Sequence, residues 1–94
     1  MLTPIQLTPA AADELKRLKA LLKLPEDYVV RISVKKTTAE DMCPFIIGFD
    51  AVDKNDMSLN IQGLNIHYHK AQGMQLAGTT IDFDTQEKGF IFRQ

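Results

Sequence analysis

One cysteine, Cys43, is all the thiol this sequence has, and tryptophan is missing altogether. A lone thiol cannot form an internal disulfide, so nothing covalent staples the fold, and a reducing, cytoplasmic setting is the expectation. Excess positive charge is missing too: eleven Lys and Arg stand against twelve Asp and Glu, for a net charge of -1. Nucleic-acid-binding domains usually carry a net basic field, because phosphate contacts dominate their affinity. Nucleic acid is therefore not an expected partner. Residues 1–8 show neither a basic n-region nor an apolar run of signal-peptide length. No stretch approaches the roughly 20 apolar residues that a membrane span needs. A soluble protein that does not engage the membrane is expected.

Signals of catalysis are equally scarce. No glycine-rich turn joins a strand to a helix in the way nucleotide phosphates require. Where a short strand meets the helix stand Thr8 and Pro9, and proline has no N–H to offer an anion. No serine sits in a nucleophile-elbow sequence. Asp82 and Asp84 alternate along one strand, where a solvated face explains both. Binding, not enzyme activity, is expected.

What remains is an ordinary globular composition, 45% hydrophobic and 24% charged, with only five glycines and four prolines. Ninety-four residues fit a single domain, 1–94, because domains typically run to roughly 100–150. Residues 5–7 read as a short strand. Thr8 is a good N-cap and Pro9 suits the first helical position. From Ala10 to about Lys23 the chain is rich in helix formers. Ala11, Leu15, Leu18 and Leu22 form an apolar stripe, with Leu21 beside it and Lys16, Arg17, Lys19 and Lys23 largely away from it. The basic run reads as a solvated face, with docking of an acidic partner as its functional counterpart. Asp13 and Arg17 are spaced for an i,i+4 ion pair. Pro25 biases Leu24 out of helical geometry and ends the helix.

Beyond Pro25 the period changes from 3.6 to 2. Strands are predicted at 28–35, 45–50, 57–62, 64–69, 80–84 and 90–92. Their inward sets begin with Tyr28, Val30, Ile32 and Val34, and residues 36–41 read as a loop. Residues 70–78 read as an irregular or singly helical turn. The order predicts an α+β fold, one N-terminal amphipathic helix on a curled, mainly antiparallel sheet of about six short strands.

Three residues carry most of the possible chemistry. Cys43 lies at the mouth of the second long strand, beside Asp41 and Pro44. As a lone thiol it is either a small buried hydrophobe or one ligand of a site shared between subunits. His67 and His69 alternate on one strand and so share a face with Asn65, opposite Leu64, Ile66 and Tyr68. That face should meet solvent or a groove. The pair could chelate a metal, but both histidines are expected to be dispensable for folding.

The Thr8-Pro-Ala-Ala-Ala12 helix start, Val30-Arg-Ile-Ser-Val-Lys35, Gly63-Leu-Asn-Ile66, Leu76-Ala-Gly-Thr-Thr-Ile-Asp-Phe83 and Gly89-Phe-Ile-Phe92 follow one another in a telling order. That order resembles the HesB/IscA-like iron–sulfur cluster biosynthesis family. It implies a β-rich, HesB-like fold, often dimeric, that carries iron or an iron–sulfur cluster to protein partners. The implied ligands are a cysteine in the loop after the early strand, matched by Cys43, and a Cys-x-Cys pair near the C-terminus. The sequence reaches Phe92-Arg-Gln94 before that pair would appear. Residues 36–42 also lack the glycines of the family loop. The expectation is a core-only member related to cluster assembly that binds iron or a cluster weakly if at all. Cys43, with His67 and His69, supplies its ligands. The alternative is an interaction module that kept the fold and binds no metal.

Overall fold

A computed structural model describes residues 5–35 and 44–94. Strand β1 (Ile5–Leu7) leads into helix α1 (Pro9–Leu22), followed by β2 (Tyr28–Val34), β3 (Phe45–Ala51), β4 (Asp56–Ile61) and β5 (Leu64–His69). A 3₁₀ turn (Lys70–Gln72) and a one-turn helix α2 (Gly73–Leu76) precede β6 (Thr79–Asp84) and β7 (Gly89–Arg93). The α+β order and the six strands after the helix are as the sequence implies.

Helix α1 starts where its cap chemistry dictates. The Thr8 hydroxyl accepts from the Ala11 amide at 3.2 Å and donates to Asp82 Oδ1 at 2.7 Å. One side chain thus satisfies a free amide of the first turn and ties the helix to β6. Buried positions are Ala11, Ala12 and Leu15. Leu18 is half-buried and Leu22 is exposed, so the predicted stripe is covered only in its first half. The physical reason is length: the helix packs on β1 and β6, and β1 has only three residues. Arg17 pairs with Glu14 one turn back rather than with Asp13, its Nε donating to Glu14 Oε1 at 2.7 Å.

The strands divide into two sheets, neither closed on itself. One has the order β1-β6-β7, with β1 and β6 parallel. The other has the order β3-β2-β5-β4, with a parallel join between β2 and β5 and antiparallel pairs on either side. Among the described residues, three of the five pairings are antiparallel. The β4–β5 connection is the two-residue turn Gln62-Gly63, with φ of 51° and 82°. Two successive positive φ values match the right-handed twist of a hairpin, and glycine tolerates the second at no steric cost. Gln62 also donates to the Leu7 carbonyl at 2.7 Å, linking the two sheets. Ile5, Leu15, Val30, Ile32, Ile66, Leu76 and Ile81 fill the core between the sheets and the helix, with the phenylalanines of β3, β6 and β7 packed around it.

Candidate functional site

Cys43 and the rest of residues 36–43 lie outside the described residues, but the two ends of that loop do not. At its entrance the Gln72 side-chain amide grips the backbone of Val34. Its Oε1 accepts from the Val34 N–H at 3.1 Å and its Nε2 donates to the Val34 carbonyl at 3.0 Å. The parallel pairing of β2 with β5 covers only Val30 and Arg31, so Gln72 continues that ladder with a side chain. The Lys35 N–H then donates to the Pro44 carbonyl at 2.7 Å, closing the loop on itself. At its exit the Phe45 ring lies 5.3 Å from Phe92 of β7. Residues flanking Cys43 are thereby fixed to the 3₁₀ turn on one side and to the C-terminal strand on the other.

The outer face of the four-stranded sheet meets this loop base through an open cleft of about 790 Å³, lined by Arg31, Ser33, Asp50, Lys54, His69 and Gln72 among others. Beside it lies an ion cluster. Arg31 forks onto Asp56, with Nη1 to Oδ1 and Nη2 to Oδ2 both at 2.7 Å, and Nη2 also reaches the Ala51 carbonyl at 2.8 Å. Ala51 ends β3 and Asp56 begins β4, so one guanidinium holds both ends of the segment that crosses the sheet. The Asp56 side chain is 1% exposed and also accepts from the Asp53 amide at 2.9 Å. Arg31, above all, holds the Asp56 carboxyl well below the usual carboxylate range, against the desolvation that would raise it. The same bond raises the Arg31 pKa. Arg31 Nε lies 3.4 Å from Asp50 Oδ2, close enough for charge attraction but without hydrogen-bond geometry.

His67 and His69 do share a face, as alternation requires, but their situations differ. The His67 side chain is 12% exposed, with Nδ1 3.1 Å from Asp56 Oδ2. An ionised carboxylate only accepts, so Nδ1 carries the proton. This carboxylate–imidazole arrangement orients the ring as metal-ligating histidines are oriented. His69 is exposed, and its Nδ1 accepts from the Ala71 N–H at 3.1 Å, capping the 3₁₀ turn. A metal on its other nitrogen would need Nδ1 protonated, and the cap would have to open. Among the described residues no three His, Cys, Asp or Glu side chains gather to hold a metal ion.

A family model for iron-sulphur cluster biosynthesis matches residues 3–94. The chain belongs to that family. Its backbone is similar to Escherichia coli SufA, described as involved in biosynthesis of iron-sulfur clusters, with a TM-score of 0.67 and 29% identity over 99% of this chain and 85% of that one. A structure of IscA with the [2Fe-2S] cluster superposes with a TM-score of 0.71 at 22% identity, covering 96% and 84%. A solution structure of a protein from Aquifex aeolicus gives 0.74 at 21% identity, covering 100% and 94%. No curated protein matches the sequence. Membership in the iron-sulphur cluster biosynthesis family relates the chain to cluster assembly. Among the described residues no helix is long and apolar enough to cross a membrane.

Sequence reasoning missed Gln72 and the Arg31–Asp56 pair. Gln72 lay in a stretch without periodicity, where a polar side chain carries no signal. Arg31 was visible as an outward residue of β2, but its partner stands 25 residues on.

Proposed function

We propose that this protein is an accessory of iron–sulfur cluster assembly that takes iron or a cluster as cargo, with the Cys43 thiolate as its chief ligand. The observation that carries the reading is the anchoring of the Cys43 loop at both ends, by Gln72 on Val34 and by Phe45 on Phe92. Anchored flanks limit the positions open to a thiol between them and lower the entropy lost when it binds. One thiol per chain does not complete a cluster, since such sites are held by several thiolates. A second copy of the chain in a homodimer, or small thiols, supplies the remainder, and mass action makes loading weak and concentration-dependent. His67, with its carboxylate partner, is the better supplementary ligand, and His69 the poorer. The protein acts in the cytoplasm, as a binder rather than an enzyme, and passes cargo to a protein partner.

The test is metal analysis and visible absorption of anaerobically purified and reconstituted protein beside Cys43→Ser. The expected wild type is nearly colourless as purified, takes up substoichiometric iron and sulfide, and bleaches on dilution. Cys43→Ser takes up none. Equal uptake by the two proteins would overturn the ligand assignment.

A further inference from the structure

The C-terminal half of α1 is where this molecule leaves apolar area uncovered beside unpaired charge. Leu21 and Leu22 are 64% and 55% exposed. Leu22 lies two turns beyond Leu15 on the same helix face, so it continues the core-facing stripe past the end of its cover. Lys16, Lys19 and Lys23 follow 3–4 spacing along the flank of that stripe. None of them makes an ion pair among the described residues. Beside them is a depression of about 490 Å³, floored by Ala20, Leu24 and Leu64 and rimmed by Lys16, Lys19 and Glu26.

Helix electrostatics explains part of this, because cations are favoured near a helix C-terminus. It does not explain Leu22, an apolar side chain of the stripe that is left in solvent. Nor does backbone preference explain Lys23, which caps the helix at φ 50° in the left-handed region, where glycine is the least strained residue. A basic side chain stands there although glycine would suit the backbone better.

We propose that this surface docks an acidic amphipathic helix of a protein partner. One apolar side chain of that helix covers Leu22 and others enter the depression, while its carboxylates face Lys16, Lys19 and Lys23. This is recognition of one helix by another through spaced apolar anchors. The net charge of -1 gives the chain no general attraction to anionic bilayers or to nucleic acid. The surface shares no residue with the anchors that flank Cys43, namely Val34, Gln72, Phe45 and Phe92, so the two assignments are tested independently.

The probe is a synthetic helical peptide with leucines at i, i+3, i+4 and i+7 and glutamates elsewhere, titrated into isotopically labelled protein. Expected are amide shifts confined to residues 16–24 and 63–64, and an affinity that falls by about tenfold on Lys16→Glu/Lys19→Glu/Lys23→Glu. Leu22→Ser should weaken binding at every salt concentration, whereas the lysine reversals should matter less as salt rises. Circular dichroism checks that the variants stay folded. Cys43→Ser should bind the peptide unchanged. Absence of shifts at millimolar peptide overturns the proposal. So does tighter binding to phosphatidylserine–phosphatidylcholine vesicles than to the peptide, which would make this a lipid-facing helix.

Discussion

Strands β2 and β5 present two unlike faces one residue apart. Val30 stands opposite Ile66 on the inner face, and the next pair in register, Arg31 and His67, stands on the outer one. Inside, Val30, Ile32 and Ile66 are fully buried members of the apolar core. Outside, the same two strands carry an ion cluster whose strength depends on one guanidinium and one enclosed carboxylate. The inner face stabilises by removing area from water, which involves no titrating group and no charge to be screened. The outer face fixes which segment crosses where, because Arg31 binds both Ala51 and Asp56. Burial supplies most of the stability, and charge supplies the path of the chain.

Substitutions on the two faces should therefore fail differently. Ile66→Ala on the inner face is expected to cost about 4 kcal/mol, within the usual range for a buried aliphatic truncation. Denaturant melts at several pH values should show that loss unchanged. On the outer face, Arg31→Met should cost about 3 kcal/mol at neutral pH, the low end for removing one partner of a buried ion pair, because the neighbouring cleft is open to water. Here pH matters, and the sign follows from the depressed Asp56 pKa. A depressed carboxyl contributes stability that is present above its unfolded value near ~4 and lost as pH falls towards its folded value. Wild type should lose stability across that acid range, while Arg31→Met, with the cause of the depression removed, should follow a flatter acid limb. Parallel acid limbs for the two proteins would contradict the assignment.

The smallest effects separate the two histidines. His67→Gln should cost about 1 kcal/mol, because it takes one hydrogen bond from an enclosed carboxylate. His69→Gln, at an exposed position, should stay within about 0.5 kcal/mol. Equal losses in thermal melts would mean that the Asp56 contact of His67 carries no weight. These two melts test the expectation that both residues are dispensable for folding.

Much of this fold was legible because local rules decided it. Thr8-Pro9 announced the helix start, Pro25 its end, and alternation gave the six strands that follow with inward residues such as Val30, Ile32 and Ile81. Periodicity tells which side of a helix faces inward but not how far the sheet beneath extends, so Leu22 looked like core and is exposed. Strand alternation likewise cannot say which strands pair in parallel, because that depends on contacts between distant segments. The candidate site was legible only as residue types. Cys43 was identifiable from the family resemblance and the histidine pair from its spacing. The Gln72 clamp and the Arg31–Asp56 fork arise from tertiary geometry and leave no mark in local sequence.

The pairing of β1 with β6 has a consequence in time. Ile5 lies opposite Thr79, and the Thr8–Asp82 bond that anchors the helix joins residues 74 apart. On the ribosome the chain emerges from its N-terminus at about 5–20 residues per second, so β1 and the apolar face of α1 are synthesised seconds before their cover exists. Contacts this distant in sequence also slow folding after release, since a long loop must close before they form. Throughout that interval Ile5, Leu7 and Leu15 are exposed to any chaperone that binds apolar segments. Strand β1 is made well before β6, yet it can be placed only once β6 is there.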